Sequence, residues 1–250
     1  MRILLTGNKG FIGSRLEEVL KKNHKVYGID LVSGQDILTC NLDYEVDLVI
    51  HLAGKSGVRQ SLKNPSAYWY TNVEGSRRIF DIFKDTRVVY ASSSSAYEPH
   101  LNPYAASKCI VEYAADSHPN CLGLRLHTVY SDVPRKDMFF DKLLNGTLEY
   151  ATNHYRDFIH LEDACTAIEL LAISTNLKGV ADVGTGSSIY IPSIAPNLNI
   201  KEYTPHERSR TQADTKILKE LGFKPKYTVE NFLTTHNKGV ILQYITGENI

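Results

Sequence analysis

Residues 2–14 read RILLTGNKGFIGS, a short apolar run followed by a cluster of glycines and the start of a new apolar pattern. The apolar run has the composition of a β-strand, and after the glycines apolar side chains return at helical spacing. Gly7, Gly10 and Gly13 lie between the two and permit a tight turn against the helix N-terminus. The stretch therefore predicts a strand, a turn and a helix whose first N–H groups can bind a pyrophosphate.

Further strand candidates follow along the first half of the chain, and most of them are almost wholly apolar. They are KVYGID at 25–30, DLVIHLA at 47–53, RVVYAS at 87–92 and CLGLRL at 121–126. Helical patterns at about 64–83 and 104–117 separate the later ones. Strands that alternate with helices and are apolar on both faces are typical of a parallel sheet covered on each side. The predicted fold class is α/β, a doubly wound parallel (Rossmann) sheet with a smaller C-terminal substrate-binding lobe.

The second lobe is inferred from a looser pattern after about residue 130. Charged and turn-rich stretches occur at 131–137 and 197–210, with one helix candidate at 161–174. The predicted boundaries are 1–130 with parts of 155–185 for the dinucleotide-binding domain, and 131–154 with 186–250 for the small lobe. The apolar tail GVILQYIT at 239–246 fits either a strand or an interface segment.

Composition excludes several classes of protein. The chain has 250 residues, 42% of them hydrophobic and 22% charged, which is ordinary for a globular protein large enough to fold without disulfides. Basic and acidic residues number 28 each, so no net field attracts nucleic acid. The four cysteines lack metal-ligand spacing, and we expect reduced thiols and no metal site. Without a signal peptide or a run near the ~20 apolar residues of a membrane span, a cytoplasmic location and no membrane partner are expected.

The second strand candidate ends at Asp30, close to the ~20-residue distance from the glycine turn at which a carboxylate binds the ribose 2′-hydroxyl of a dinucleotide. An adenosine 2′-phosphate would be repelled by that charge. The pattern therefore favours NAD over NADP. The alternative is an ordinary turn followed by a solvated aspartate.

Tyr104 and Lys108 form a YxxxK pair, whose members lie on one face of a helix. About one such pair is expected by chance in a chain of this composition, so its context matters. It follows a strand that ends in four serines at 92–95, and these side chains would meet at the carboxyl edge of the sheet, where such folds bind ligands. A cationic lysine beside a tyrosine lowers the phenol pKa, as a general base requires.

Together these motifs resemble the extended short-chain dehydrogenase/reductases of the nucleotide-sugar epimerase and dehydratase family. Within that family, the chain is most similar to UDP-glucuronate 4-epimerases. The matching stretches run in order from residue 2 to about 233. They include TGNKGFIGS at 6–14, HLAG at 51–54, GVRQS at 57–61 with Pro65, Tyr68, Asn72 and Gly75, VVYASSSSAY at 88–97, YAASK at 104–108, LRLHTVY at 124–130, RKDM at 135–138, RDFIHLEDA at 156–164 and ADTKILKELGFKP at 213–225.

The resemblance implies a role for individual residues. Ser93 and Tyr104 are the catalytic hydroxyl groups, and Lys108 is the partner of the tyrosine and binds the nicotinamide ribose. The implied NAD contacts are Gly7, Gly10, Phe11, Ile12, Gly13, Asp30, Asp36, Ile37, Leu52, Ala53, Gly54, Asn72, Tyr104 and Lys108. The implied substrate contacts are Ser94, Ser95, Thr128, Arg135 and Arg156. For Arg156 the alternative is a surface salt bridge to Asp157 or Asp163.

The same resemblance implies a reaction and an assembly. The two residues after Ser93 are serines, where the family's dehydratases carry Asp and Glu, and this favours epimerisation at C4 of a UDP-sugar through a 4-keto intermediate. UDP-glucuronate is the favoured substrate. Two alternatives remain open: a nucleotide-sugar dehydratase or reductase, and a non-catalytic NAD-binding sensor. A homodimer is expected through the helices at 64–83 and 104–117, the first of which is apolar on two sides.

The chain also departs from the family pattern. Only five residues separate Asp30 from Asp36, where relatives usually have a further helix. The late nucleotide-binding arginine has two candidates, Arg208 and Arg210. We interpret His51 and His127 as structural side chains of strands.

Overall fold

The computed structural model describes residues 1–202 and 205–236, so the apolar stretch at 239–246 lies outside the described residues. In chain order its strands are β1 Arg2–Thr6, β2 Lys25–Ile29, β3 Leu48–His51, β4 Arg87–Ser93, β5 Cys121–Leu126, β6 Thr128–Tyr130, β7 Ala151–Thr152, β8 Tyr155–His160, β9 Gly179–Val183, β10 Ser188–Tyr190 and β11 Ile200–Lys201. The five strands predicted in the first half of the chain are all present, with ends shifted by at most two residues.

The helices follow the same numbering. They are α1 Phe11–Leu20, α2 Val58–Lys63, α3 Pro65–Tyr68, α4 Gly75–Ile82, α5 Pro103–Ala115, α6 Phe139–Leu144, α7 Leu161–Ile173, α8 Ile191–Ile194, α9 Lys216–Glu220 and α10 Val229–Thr235. A π-helical stretch, Trp69–Glu74, joins α3 to α4, so the single helix predicted over 64–83 changes its winding in the middle. Short 3₁₀ turns cover Leu31–Ser33, Ser94–Tyr97 and Pro99–Leu101.

The central sheet has six parallel strands in the order β2-β1-β3-β4-β5-β9, which confirms the predicted α/β fold class. A doubly wound sheet of order 3-2-1-4-5-6 has one more strand outside the second. Here the short segment after β2 turns back at once through the 3₁₀ turn and the left-handed Gly34 (φ 78°). Within the described residues, β2 is therefore the edge strand of this sheet.

Two apolar layers cover the faces of the sheet. One packs α1, α7 and α9 against the strands, and it includes Leu5, Leu16, Ile50, Ile168 and Leu218. The other packs α4 and α5 on the opposite face, and it includes Leu4, Val49, Ile79, Tyr90 and Val111. A covered sheet of this kind leaves its carboxyl edge as the place where polar side chains meet.

A third apolar cluster lies beside two small sheets. Three strands pair in the order β10-β8-β6, and β11 pairs with β7. The cluster is rich in aromatic rings and includes Tyr130, Phe140, Phe158, Ile191 and Phe232. The proposed division into a dinucleotide-binding domain and a substrate lobe stays a prediction. No helix in the described part of the chain is long and apolar enough to cross a bilayer.

Candidate active site at the carboxyl edge of the sheet

The glycine turn between β1 and α1 is closed by direct contact of backbone with backbone. Gly7 has a positive φ of 74°, and a Cβ atom built there would lie 2.7 Å from the backbone nitrogen of Ala53. A Cβ atom on Gly13 would overlap the carbonyl oxygen of Gly7. Gly10 occupies the N-cap of α1, so the positive end of the helix dipole faces the turn. The first helical turn, FIGS, carries no acidic side chain that would neutralise it. These features fit the pyrophosphate of a dinucleotide.

Asp30 closes the other side of this turn. Its Oδ2 atom accepts a hydrogen bond from the Lys9 amide at 2.9 Å, and its Oδ1 atom accepts one from the Val32 amide at 2.9 Å. The carboxylate is therefore held at the end of β2, against the glycine turn, as the choice of NAD over NADP requires.

The remaining predicted cofactor residues lie at neighbouring strand ends. Asp36 accepts a hydrogen bond from the Leu38 amide at 2.9 Å, while the side chain of Ile37 is buried in the core and its carbonyl accepts from Arg78. Phe11 and Ile12 begin α1, and Leu52 and Ala53 follow β3. All four residues are half-buried.

Asn72 fixes the loop after β3. Its Oδ1 atom accepts from the Lys55 amide at 2.7 Å, and its Nδ2 group donates to the Lys55 carbonyl at 3.0 Å and to the Ser107 hydroxyl at 2.9 Å. A Cβ atom on Gly54 would lie 3.0 Å from Asn72 Oδ1 and 3.4 Å from Lys108 Nζ. Asn72 thus positions the loop, and the Lys108 ammonium lies beside Gly54.

Lys108 is buried on α5, and its ammonium donates to the carbonyl of Ala91 at 2.8 Å. Burial lowers the pKa of this ammonium from its ordinary value to about 8, and the charge of Glu112 opposes the shift. Lys108 is therefore still mainly cationic at neutral pH.

Ser93 and Tyr104 are brought together, as the sequence predicts. Ser93 ends β4, and its Oγ atom accepts from the Ser95 amide at 3.1 Å, which leaves its proton for another partner. Tyr104 lies in the first turn of α5, a helix that begins where the Asn102 side chain accepts from the Ala105 amide at 2.8 Å. The Ser93 hydroxyl interacts with the Tyr104 phenol, and this interaction lowers the pKa of the phenol.

The pKa of Tyr104 moves in the direction opposite to the sequence prediction. Burial raises the pKa of its phenol above the ordinary value, and the neighbouring Ser93 hydroxyl and the charge of Arg135 offset this only in part. The physical reason is that the phenol lies in a desolvated position, while the ammonium expected to lower its pKa points to the Ala91 carbonyl. The local motif could not show how deeply the ring is covered.

A group of contacts beside Tyr104 was not predicted from the sequence. It is formed by Ser56, Gly57 and Tyr68, and we call it the arch. The Tyr68 hydroxyl contacts the carbonyls of Ser56 (2.8 Å) and Gly57 (3.0 Å), and its ring meets that of Tyr104 edge to face, with centroids 6.1 Å apart. The exposed Arg135 donates from Nη1 to the Ser56 hydroxyl at 2.8 Å. These contacts join residues far apart in the chain, so no local spacing signals them.

The predicted substrate residues divide into two groups. Ser94 and Ser95 begin the 3₁₀ turn after β4, and Thr128 begins β6, directly after the neighbouring strand β5. Arg156 lies in β8, further along the chain. Its Nη1 group donates to the Arg208 carbonyl at 2.8 Å, and its Nη2 group pairs with Glu207 at 3.0 Å.

Arg156 forms a salt bridge, but its partner is Glu207 and neither Asp157 nor Asp163, the two expected from the sequence. Asp157 is fully buried and accepts from the Thr185, Gly186 and Ala213 amides at 2.8 to 3.0 Å. Asp163 accepts from two backbone amides near residue 226 instead. Neighbours in a strand point to opposite faces, and Asp157 is thereby directed away from Arg156.

The two histidines of the strand ends are consistent with structural roles. His51 is bonded between the hydroxyls of Thr6 (2.7 Å) and Ser76 (3.0 Å), and burial lowers its pKa to about 3. His127 is buried beside Asp182, with Nε2 3.4 Å from a carboxylate oxygen. Among residues 1–202 and 205–236, no group of three His, Cys, Asp or Glu side chains could hold a metal ion.

Comparison with known proteins identifies the family to which the chain belongs. Residues 3–182 match the model of the NAD dependent epimerase/dehydratase family. An uncharacterized protein of Methanocaldococcus jannaschii is 32% identical in an alignment that covers 92% of this chain and 93% of that protein. A UDP-glucuronate 4-epimerase of Thermodesulfobacterium geofontis is 32% identical in an alignment that covers 60% of this chain and 55% of that protein.

A solved structure agrees over almost the whole length. The UDP-glucuronic acid 4-epimerase of Bacillus cereus, crystallised with UDP-glucuronic acid and NAD, superposes with a TM-score of 0.81. It is 26% identical, and the match covers 99% of each chain.

Proposed function

The chain belongs to the NAD dependent epimerase/dehydratase family, and from this premise we propose that it epimerises a UDP-sugar at C4, with UDP-glucuronate as the favoured substrate. NAD as the cofactor, predicted from Asp30 and the glycine turn, is confirmed by membership of this family. The observation that carries the proposal is the meeting of Ser93 with the Tyr104 phenol at the carboxyl edge of the sheet, followed by two serines where a dehydratase needs carboxylic acids.

The residues divide the chemistry as follows. When bound, NAD supplies a reversible hydride acceptor for C4 of the sugar, which passes through a 4-keto form. In its phenolate form, Tyr104 removes the proton of the 4-hydroxyl group and later returns it, while Ser93 hydrogen-bonds the same oxygen. Lys108 keeps a positive charge beneath the loop at Gly54, where the nicotinamide ribose would bind. The turn at Gly7–Gly13 and Asp30 would hold the pyrophosphate and the adenosine ribose.

The open alternatives have less support. A dehydratase would use an acid at the position of Ser94 or Ser95, and a binding sensor would have no use for the Ser93–Tyr104 pair. A panel of UDP-, dTDP- and GDP-sugars, incubated without added cofactor and followed by product identification, tests all three. Conversion of a UDP-sugar into its C4 epimer supports the proposal, whereas a deoxy-keto product would replace it with dehydration.

Purified protein is expected to contain NAD or NADH, because an epimerase regains its cofactor in every cycle and gains by not releasing it. Nucleotide released by denaturing the protein should chromatograph as NAD or NADH, in about one copy per chain. Recovery of mainly NADP would contradict the role of Asp30.

Selectivity for an acidic sugar is assigned to Arg135, with Ser94, Ser95 and Thr128 as hydrogen-bond donors to the carboxylate. Arg135→Ala is expected to lower kcat/KM for UDP-glucuronate by about 30-fold, because a charge-assisted hydrogen bond is lost, and far less for UDP-glucose. The variant also loses the bond to the arch, so Ser56→Ala is the matched control that breaks this bond and keeps the guanidinium. Equal losses for acidic and neutral sugars in Arg135→Ala would remove the glucuronate assignment.

The homodimer stays a prediction. Large apolar side chains are exposed on the two helical segments expected to form its interface, namely Trp69, Tyr70, Ile82 and Tyr113. Light scattering should give twice the 28.1 kDa of the chain, and Trp69→Glu should reduce it toward one copy. A monomeric mass for the unchanged protein would show that these side chains have no such partner.

The cytoplasmic location expected from the sequence also stays a prediction.

A further inference from the structure

A short segment of the C-terminal part, His206–Arg210, contacts the turn that carries the catalytic serine. The His206 carbonyl accepts from the Asn102 side chain at 2.9 Å, and Asn102 also caps the helix that bears Tyr104. On its other side, the segment pairs with β8, where the Tyr155 amide donates to the Ser209 carbonyl at 2.8 Å. The segment therefore connects the strand of Arg156 with the strand end and helix of the proposed catalytic pair.

Arg208 makes three contacts with this turn and the residue after it. Its Nη1 group donates to the carbonyl of Ser94 at 2.8 Å, and its Nε group donates to Glu98 at 2.9 Å. Its guanidinium also lies 5.0 Å from the centre of the Tyr97 ring. Three contacts from one planar group bind the first, fourth and fifth residues after Ser93.

The same turn is also held through Tyr97. The Tyr97 hydroxyl lies 3.1 Å from both carboxylate oxygens of Asp182, on β9, and the guanidinium of Arg125, on β5, lies 4.1 Å from the ring. Tyr97 is therefore fixed to the central sheet, and Arg208 fixes the start of the turn. Since Ser93 Oγ accepts from the Ser95 amide, the orientation of the turn determines where that hydroxyl points.

We propose, on the basis of the epimerase function proposed above, that Arg208 is a positioning residue that holds the Ser94–Tyr97 turn and thereby orients the Ser93 hydroxyl toward the Tyr104 phenol. The sequence made Arg208 a candidate for binding the nucleotide. Its side chain is 20% exposed, and its Nε and Nη1 groups are directed at Glu98 and Ser94. Its carbonyl also accepts from Arg156, so the segment links the proposed diphosphate contact to the turn.

Arg208→Lys tests this role, because a lysine keeps the charge and cannot make the forked contact with Ser94 and Glu98. We expect kcat for the UDP-sugar to fall by about tenfold, as small displacements of catalytic groups have large effects, while the Kd of UDP measured by calorimetry changes less than twofold. The rising limb of the pH profile should move to higher pH, since a weaker bond from Ser93 lowers the Tyr104 pKa less. A merely structural role would leave that limb in place.

Two further variants complete the experiment. Arg15→Lys is the matched control, because Arg15 makes a comparable forked contact with Glu162 that joins α1 to α7. We expect it to leave kcat and the pH profile unchanged. Glu98→Gln keeps the bond to Ser94 and should lower kcat less than Arg208→Lys, with the same direction of pH shift. It serves as the second test if Arg208→Lys fails to fold.

The outcomes separate this inference from the proposed function. A rise of tenfold or more in the Kd of UDP with an unchanged kcat in Arg208→Lys would overturn the positioning role and restore nucleotide binding. Absence of turnover of every UDP-sugar by the unchanged protein would instead remove the proposed function. In that case the calorimetry still decides whether Arg208 binds the nucleotide.

Discussion

Tyr104→Phe is expected to lower kcat by about a thousandfold while NAD stays bound, the size of effect that follows from losing a positioned general base. The substitution removes only the phenolic oxygen, which is the group that interacts with Ser93. The ring itself remains to pack edge to face against Tyr68, so the arch and the fold are kept. Loss of the hydroxyl leaves the 4-hydroxyl proton of the sugar without an acceptor.

The measurement is turnover of the UDP-sugar, with NAD content determined on the same preparation. Tyr113→Phe is the matched control, since Tyr113 lies on the same helix with an exposed side chain and should keep full turnover. Full activity in Tyr104→Phe would overturn the proposed mechanism. Loss of NAD together with activity would instead make Tyr104 a cofactor ligand first.

Gly13→Ala is expected to reduce NAD content at least tenfold and to destabilise the fold by about 2 kcal/mol. The added methyl group would overlap the carbonyl oxygen of Gly7 and lie 2.8 Å from its carbonyl carbon. Both are backbone atoms of the glycine turn, so the methyl group can be accommodated only if α1 moves away from β1. The helix N-terminus and the turn would then no longer form one anion site.

Nucleotide extraction and thermal unfolding measure the two effects. Ser14→Ala, at the next position of α1, is the control, because Ser14 is exposed and alanine favours the helix. It should retain NAD and the Tm of the unchanged protein. A Gly13→Ala protein with full NAD content would show that close packing at this position is not what forms the cofactor site.

The parts of the fold that the sequence predicts are those with a local cause. Continuous apolar runs gave the positions of β1 to β5, and the glycine spacing gave the turn before α1. The meeting of Ser93 and Tyr104 was also predictable, because the carboxyl ends of parallel strands lie at one edge. Each of these follows from the pattern within one strand or one turn.

The parts that could not be predicted depend on distant residues. Arg156 pairs with Glu207 and the arch at Ser56 meets Arg135, and both contacts join segments at least 50 residues apart. The raised pKa of Tyr104 depends on burial by several elements together. The π-helical stretch Trp69–Glu74 differs from an α-helix by one hydrogen-bond step, which periodicity does not resolve.

The position of β2 at the edge of the sheet has a consequence for solubility. An edge strand exposes unpaired backbone groups to which another extended chain can add, and this is a route to aggregation. Here β2 is only five residues long and begins with Lys25, whose ammonium lies 5.0 Å from the centre of the Tyr27 ring. Gly28, where a Cβ atom would overlap the Asn8 side chain, weakens its tendency to pair further. The strand that carries Asp30 to the cofactor site is thus short and charged enough to discourage the addition of a foreign strand.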